Sequence, residues 1–322
     1  FNIFPLPSFT TRYYTCYVYF DVALLTLADY ITTEVYTGTD GENGLYYHDG
    51  TGTYTNADQE AGDNSYRFSG DPNNYVCFGS DVTPCPYDNL YRIIGVFDGQ
   101  IKLIKHDYAG ESTLGTAPSR NGTPSSHYYK GSLSSIPIYY WSGSSSIESN
   151  IWSDSTLNTE ILNGTYLNTI GSEWASMIAT IEWKVGGTTW SLSNTAKQYY
   201  TTELGSSSSI TTYSAKVGLM YISDYGYAVS PENWNRGLAN YNDSTNDDYN
   251  WMYMGVTEWT ISRRSNNTTN AFVVRYTGQV MNAGVNSSNV EYGGVRPSFY
   301  LESSVAYAGG TGTASDPILI TD

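Results

Sequence analysis

The stretch VTEWTIS, residues 256–262, sets a carboxylate beside a tryptophan in a run rich in β-branched residues. The tract behind it, RRSNNTTNAFVVRYTGQVMNAGVNSSNVEY (263–292), is dense in Asn, Ser, Thr and Tyr, and GGVRPSFYL (293–301) closes the region. A strand of this kind packs one large ring into a core, while the polar tract carries far more hydrogen-bonding groups than a core accepts. The first reading is therefore a framework braced by Trp251 and Trp259, with Glu258 fixing a loop by accepting backbone donors and Arg296 pairing with a buried carboxylate.

Composition bounds the rest. The 322 residues carry 31 acidic and 15 basic side chains, a net charge of −16, so phosphate backbones and anionic membrane surfaces are repelled; no nucleic acid is expected as a partner. Only 14% of residues are charged, while 32 are Tyr and 15% are aromatic, which gives a polar but weakly charged surface and excludes disorder. This is the look of extracellular β-rich proteins, and the cell surface is the expected location. No run of 18 apolar residues occurs, so no spanning helix is expected.

Outward from the motif, the chain alternates strand and helix signals. DVALLTLADYITTEV (21–35) has apolar residues at helical spacing and reads as one amphipathic helix. The Gly-, Asp- and Asn-rich stretch that follows holds Asp40, Glu42, Asn43 and Asp49 at spacings unlike an EF-hand, and reads as a turn-rich hairpin loop. Tyr91 to Phe97 and Gln100 to Lys105 are β-type runs joined by Asp98-Gly99, a hairpin signal. Residues 108–150 read as surface loop with one short strand, IPIYYW. Residues 157–170 carry helical spacing broken at Gly171, IEWKVGG reads as a strand, and Val217 to Ile222 reads as a central strand followed by turns at Gly226 and Pro231. A last strand is expected through Ile318 to Ile320.

Cys77 and Cys85 bracket CFGSDVTPC, a short loop with Gly79 and Pro84 that can close on itself; a disulfide is preferred over a metal site, because no further Cys or His lies near. Cys16 is left as a buried thiol or an intermolecular link. His48, His106 and His127 stand far apart, so no triad assembles and hydrolase chemistry is disfavoured. Asp243, Asp247 and Asp248 read as a solvated acidic loop, with calcium the one cofactor such a loop would take; no metal ligand set is assigned. Sequons such as Asn121 and Asn267 follow from composition.

The order of VGLMYISDYGYA, the loop NWNRGLANYNDSTNDDYNWMYMG, VTEWTIS, a polar stretch and GGVRPSFYL resembles the C-type-lectin-like fold in its formylglycine-generating-enzyme (sulfatase-modifying factor) subtype, where a Glu-Trp-Thr motif and a Gly-hydrophobic-Arg-Pro strand enclose the core. The resemblance covers about residues 210–302. Enzymes of that family use cysteines in the C-terminal half, and this chain has none after residue 85, which leaves its binding members. Among these the chain resembles retroelement-diversified variable surface proteins, whose binding faces fill with Asn, Tyr, Ser, Thr and Asp. The resemblance implies a ligand-binding set of Arg263, Arg264, Asn266, Asn267, Asn270, Arg275, Tyr276, Asn282, Asn286, Asn289 and Tyr292. Tyr supplies contact area at low entropy cost and Asn adaptable hydrogen bonds. The simpler alternative is the ordinary polar loops of a secreted β-rich protein.

A first residue of Phe also resembles mature type IV pilins, and implies processing or truncation; the segment departs from them in lacking a continuous apolar helix and an acidic fifth residue. The expected fold class is α+β and β-rich: a segment 1–35 with an amphipathic helix serving assembly or anchoring, a β-rich region 36–150, and a C-type-lectin-like ligand-binding domain 151–322. The expected function is a non-enzymatic, surface-displayed binding or adhesion protein taking a protein or glycan ligand. A filament subunit that self-associates and displays this domain is the first alternative, and a carbohydrate-active enzyme with two carboxylates in one cleft the second.

Overall fold

A computed structural model describes residues 24–51, 59–116, 128–142, 149–205, 210–242, 250–287 and 291–322. The expectations for residues 1–20, Cys16, Asn121, His127, Asp243, Asp247, Asp248 and Asn289 fall outside these residues. In chain order the strands are β1 (Leu45–His48), β2 (Ser65–Phe68), β3 (Tyr75–Cys77), β4 (Leu90–Phe97), β5 (Gln100–Lys105), β6 (Tyr129–Leu133), β7 (Ile136–Tyr139), β8 (Ile181–Val185) and β9 (Gly187–Thr188). They continue as β10 (Thr211–Ala215), β11 (Val217–Gly218), β12 (Glu258–Arg264), β13 (Asn270–Val274), β14 (Val280–Gly284), β15 (Ser298–Tyr300), β16 (Ala306–Gly309) and β17 (Leu319–Thr321). Helices are fewer and short, so the fold is α+β.

The largest sheet runs β1-β2-β4-β5-β15-β11 with β3 also on β4, all antiparallel. Its centre is the hairpin the sequence announces: Phe97 pairs with Gln100, and Asp98 (φ 49°) and Gly99 (φ 76°) turn the chain with both central residues left-handed, the turn whose twist matches the flanking strands. β4 is buried along nearly its whole length, as its run LYRIIGV, apolar but for Arg92, requires; the Arg92 guanidinium is taken up by the Asn74 side-chain oxygen and the Pro72 carbonyl. The sheet joins β1 to β5 with β11 and β15, and thus residues on both sides of the expected 150/151 boundary. A second sheet, β14-β13-β12-β9, carries the VTEWTIS strand as β12.

Three local expectations change. The first helix begins at Leu27, capped by the Thr26 side chain, which accepts from the Asp29 amide, and continues as a wider turn over Ile31–Val35; Leu27 and Ile31 are buried while Leu24 stays exposed. Val217 to Ile222 is not a central strand. Only Val217–Gly218 pairs, at the edge of the large sheet, and Ile222–Tyr227 is a helix whose start is set by Asp224 accepting the Tyr221 amide at 2.8 Å. A short apolar run buried on all sides suits strand and helix equally, and the Asp tips it. Gly226 lies inside that helix rather than in a turn, and a Cβ there would meet the Ala196 Cβ at 2.8 Å, so it lets this helix close on Ala196–Leu204.

Residues 128–142 hold more order than expected. The IPIYYW strand is β7, and its partner β6 precedes it through a turn at Ser134 (φ 50°) and Ser135 (φ 69°). The helix over residues 157–170 ends at Gly171 (φ 86°), as expected, with a further short helix at Ser172–Ser176. Trp141, Trp152, Trp183, Trp234 and Trp259 are all fully buried, so most of the tryptophans are core. Cys77 and Cys85 form the disulfide.

Candidate ligand-binding face

β13 is buried on both faces: Ala271, Phe272, Val273 and Val274 are all core. The polar residues of the tract are therefore carried to the ends of the β12-β13-β14 sheet. At one end the β12–β13 connection and the last residues of β14 meet, because Asn270 pairs with Gly284. There the Arg264 guanidinium donates to the side-chain oxygens of Asn266 (2.7 Å) and Asn282 (3.1 Å), and the Asn270 amide donates to the same Asn282 oxygen (2.9 Å). Asn267 caps the turn by accepting from the Thr269 amide and hydroxyl. Asn266 is exposed and Arg264, Asn267, Asn270, Asn282 and Asn286 are half-buried.

Beneath this end lies a residue the sequence reading did not single out. The buried Asn150 side-chain amide lies 2.8 to 2.9 Å from the carbonyl oxygens of Arg264, Asn267 and Asn270, and its own backbone amide donates to the Thr268 carbonyl. One residue thus ties the connection at four points, three through its side chain and one through its backbone. The loop is held from inside while its side chains face out.

The other candidates lie elsewhere. Arg275 and the exposed Tyr276 occupy the β13–β14 turn at the opposite end, roughly 17 Å away at the strand rise. Tyr253 donates to the Tyr276 carbonyl there, and the Tyr276 amide donates to Thr257. Arg263 points to the side opposite its neighbour, with Nε 3.4 Å from the Val185 carbonyl, in a hollow shared with Ile151, Trp152 and Tyr213. Tyr292 belongs to the returning loop, where the Lys130 ammonium donates to the carbonyls of Ser287 and Tyr292. The structure brings together Arg264, Asn266, Asn267, Asn270 and Asn282, and sets Arg263, Arg275, Tyr276 and Tyr292 apart from them.

The framework residues meet directly. Arg296 Nε and Nη2 donate to the two Glu258 oxygens, each at 2.7 Å, with both side chains almost fully buried, and Nη2 also donates to the Met252 carbonyl. Burial works against the guanidinium charge, but the facing carboxylate outweighs it and holds Arg296 above the usual arginine range. Both Glu258 oxygens face Arg296, in place of the backbone donors first expected. Trp259 donates its indole N–H to the Tyr139 carbonyl (2.9 Å), and Trp251 to that of Phe68 (2.9 Å), while Arg92 stacks on the Trp251 ring at 4.5 Å.

Away from the face, His48 is fully buried and accepts the Ala61 amide; burial, with Arg67 nearby, holds its imidazole well below the usual range. His106 sits between Tyr75 and Tyr87, with its pKa lowered to about 4 chiefly by burial. Asp40 and Asp49 accept hydrogen bonds from local backbone amides, as turn residues do. Among the described residues no three His, Cys, Asp or Glu side chains gather as a metal-binding group.

A cleft of about 270 Å³ also escaped the sequence reading, being lined by Phe97, Asp98, Tyr200, Tyr221 and Tyr300 among others, from six separate segments. A charge-balanced quartet borders it, with Arg67, Lys102 and Asp224 buried and Asp63 partly exposed at the cleft wall: Arg67 pairs with Asp63 at 2.7 Å, Lys102 with Asp224 at 2.5 Å, and Arg67 Nη1 lies 3.7 Å from Asp224 Oδ1. Comparison with protein-family models, curated proteins and solved structures gave no match.

Proposed function

We propose that the chain is a non-enzymatic binding protein of an extracellular surface, with a C-type-lectin-like framework, that takes a protein or glycan ligand on the sheet end around Arg264. The observation that carries the reading is the pinning of the β12–β13 connection by Asn150 beneath the joined side chains of Arg264, Asn266, Asn270 and Asn282. A backbone anchored from below tolerates changes in the side chains above it, and a fixed loop loses little entropy on binding. The family reading is supported by the direct meeting of its two motifs, since Glu258 of the Glu-Trp-Thr strand grips Arg296 of the Gly-Val-Arg-Pro segment.

The test is binding of the purified chain to a printed array of glycans and cell-surface proteins, with Arg264→Ala combined with Asn282→Ala against Arg275→Ala at the far end. Loss of captured ligands in the first variant, with its melting temperature kept, is expected. Unchanged binding there, or loss confined to the Arg275 variant, overturns the assignment.

A further inference from the structure

We propose that Lys102 and Asp224 condense into an intramolecular amide, an isopeptide bond joining β5 to the helix Ile222–Tyr227. The two groups are held in contact, Nζ 2.5 Å from Oδ2, with side-chain exposures of 0% and 1%. The contact is closer than the usual charge-assisted N–H···O distance. It is also poorly satisfied as an ion pair. An ammonium has three donors, and Asp224 is the one hydrogen-bond partner of Lys102 among the described residues. Rings surround the rest of it: Tyr221 at 4.3 Å, Tyr300 at 5.4 Å, Trp183 at 5.5 Å and Phe97 at 5.9 Å. An amide N–H needs a single acceptor, and condensation removes both buried charges.

The surrounding groups suit the reaction. Burial holds the Lys102 ammonium below the usual lysine range, against the pull of Asp224, which favours passing a proton to the carboxylate. The freed amine then attacks Cγ, and held contact makes the step unimolecular. The Tyr221 amide donates to Oδ2 at 2.8 Å, and Arg67 Nη1, a buried donor with no hydrogen-bond partner among the described residues, stands 3.7 Å from Oδ1. Charge developing on Oδ1 in the tetrahedral intermediate falls to that waiting N–H. Oδ2 collects two protons that began on the ammonium and leaves as water, and the third proton stays on the amide nitrogen. The Nζ–Cγ bond forms, the Cγ–Oδ2 bond breaks, and nothing is oxidised or reduced. Tyr221 and Tyr300 line both the lysine's surroundings and the open cleft, which gives the water an exit.

The test is the intact mass of the purified full chain, followed by proteolysis and fragment sequencing. A mass lower than the disulfide-bonded sequence by one water, with a branched peptide joining the segments of Lys102 and Asp224, is expected. Lys102→Arg restores the missing water, and Asp224→Asn forms the same branch with loss of ammonia instead. Full mass with both peptides recovered unbranched overturns the proposal, as does a water lost at Asp98-Gly99 without a branch.

Discussion

At Glu258 and Asn150 one side chain settles the state of many atoms. Glu258→Gln leaves the Arg296 guanidinium buried without its counter-charge, and a loss of about 3–5 kcal/mol in chemical denaturation is expected. Replacing the pair together, with Glu258→Leu and Arg296→Met, is expected to cost less than the single change, because no buried charge is left behind. Asn150→Ala strips the donor from carbonyls of the β12–β13 connection and is expected to cost about 1–3 kcal/mol, with ligand capture failing before global unfolding. Glu258 and Arg296 were legible as framework residues through the Glu-Trp-Thr and Gly-Val-Arg-Pro motifs, but their pairing with each other was not. Asn150 was not, since a lone Asn in a Ser-rich stretch carries no periodic signal and its acceptors lie more than a hundred residues on.

At the scale of elements, the hairpin of β4 and β5 was legible because its turn chemistry is local, and the helix from Ile222 was not, because an apolar run buried on every side has no period to read. The polar tract announced exposed side chains but hid their division, since β13, apolar in its middle, sends them to opposite ends of one sheet. Gly226→Ala tests the helix packing: propensity alone would favour alanine, but the contact with Ala196 is expected to reverse this, at about 1–3 kcal/mol, read as a lowered melting temperature. The returning loop offers a second test. Burial lowers the Lys130 pKa from the ordinary 10.5 to about 7, so between these values the unfolded chain binds the proton that the folded chain gives up. Stability is then expected to rise with pH across that window, and Lys130→Met to flatten the rise in denaturation midpoints.

As a whole molecule, the chain is closed by strands that arrive late: β15 sits beside β5, and β11 beyond it. A chain ending at residue 150 lacks both, and is expected to show no cooperative melting transition, whereas the full chain melts in one. Opening the short Cys77–Cys85 loop by Cys77→Ser is expected to cost about 2.5 kcal/mol on loop entropy, for a separation of 8 residues, without changing that single transition.

Leu25 and Leu27 bond to the segment Val305–Tyr307 while Tyr30 stacks on Tyr307, and β17 lies on the other side of β16. The two ends of the described chain are thus neighbours in one narrow ribbon. Tension applied between them would peel this ribbon a few hydrogen bonds at a time and reach the large sheet through Ile318, which exchanges backbone bonds with Tyr75 and Cys77 on β3, so under a stretching force the molecule frays at its seam before its tryptophan core gives way.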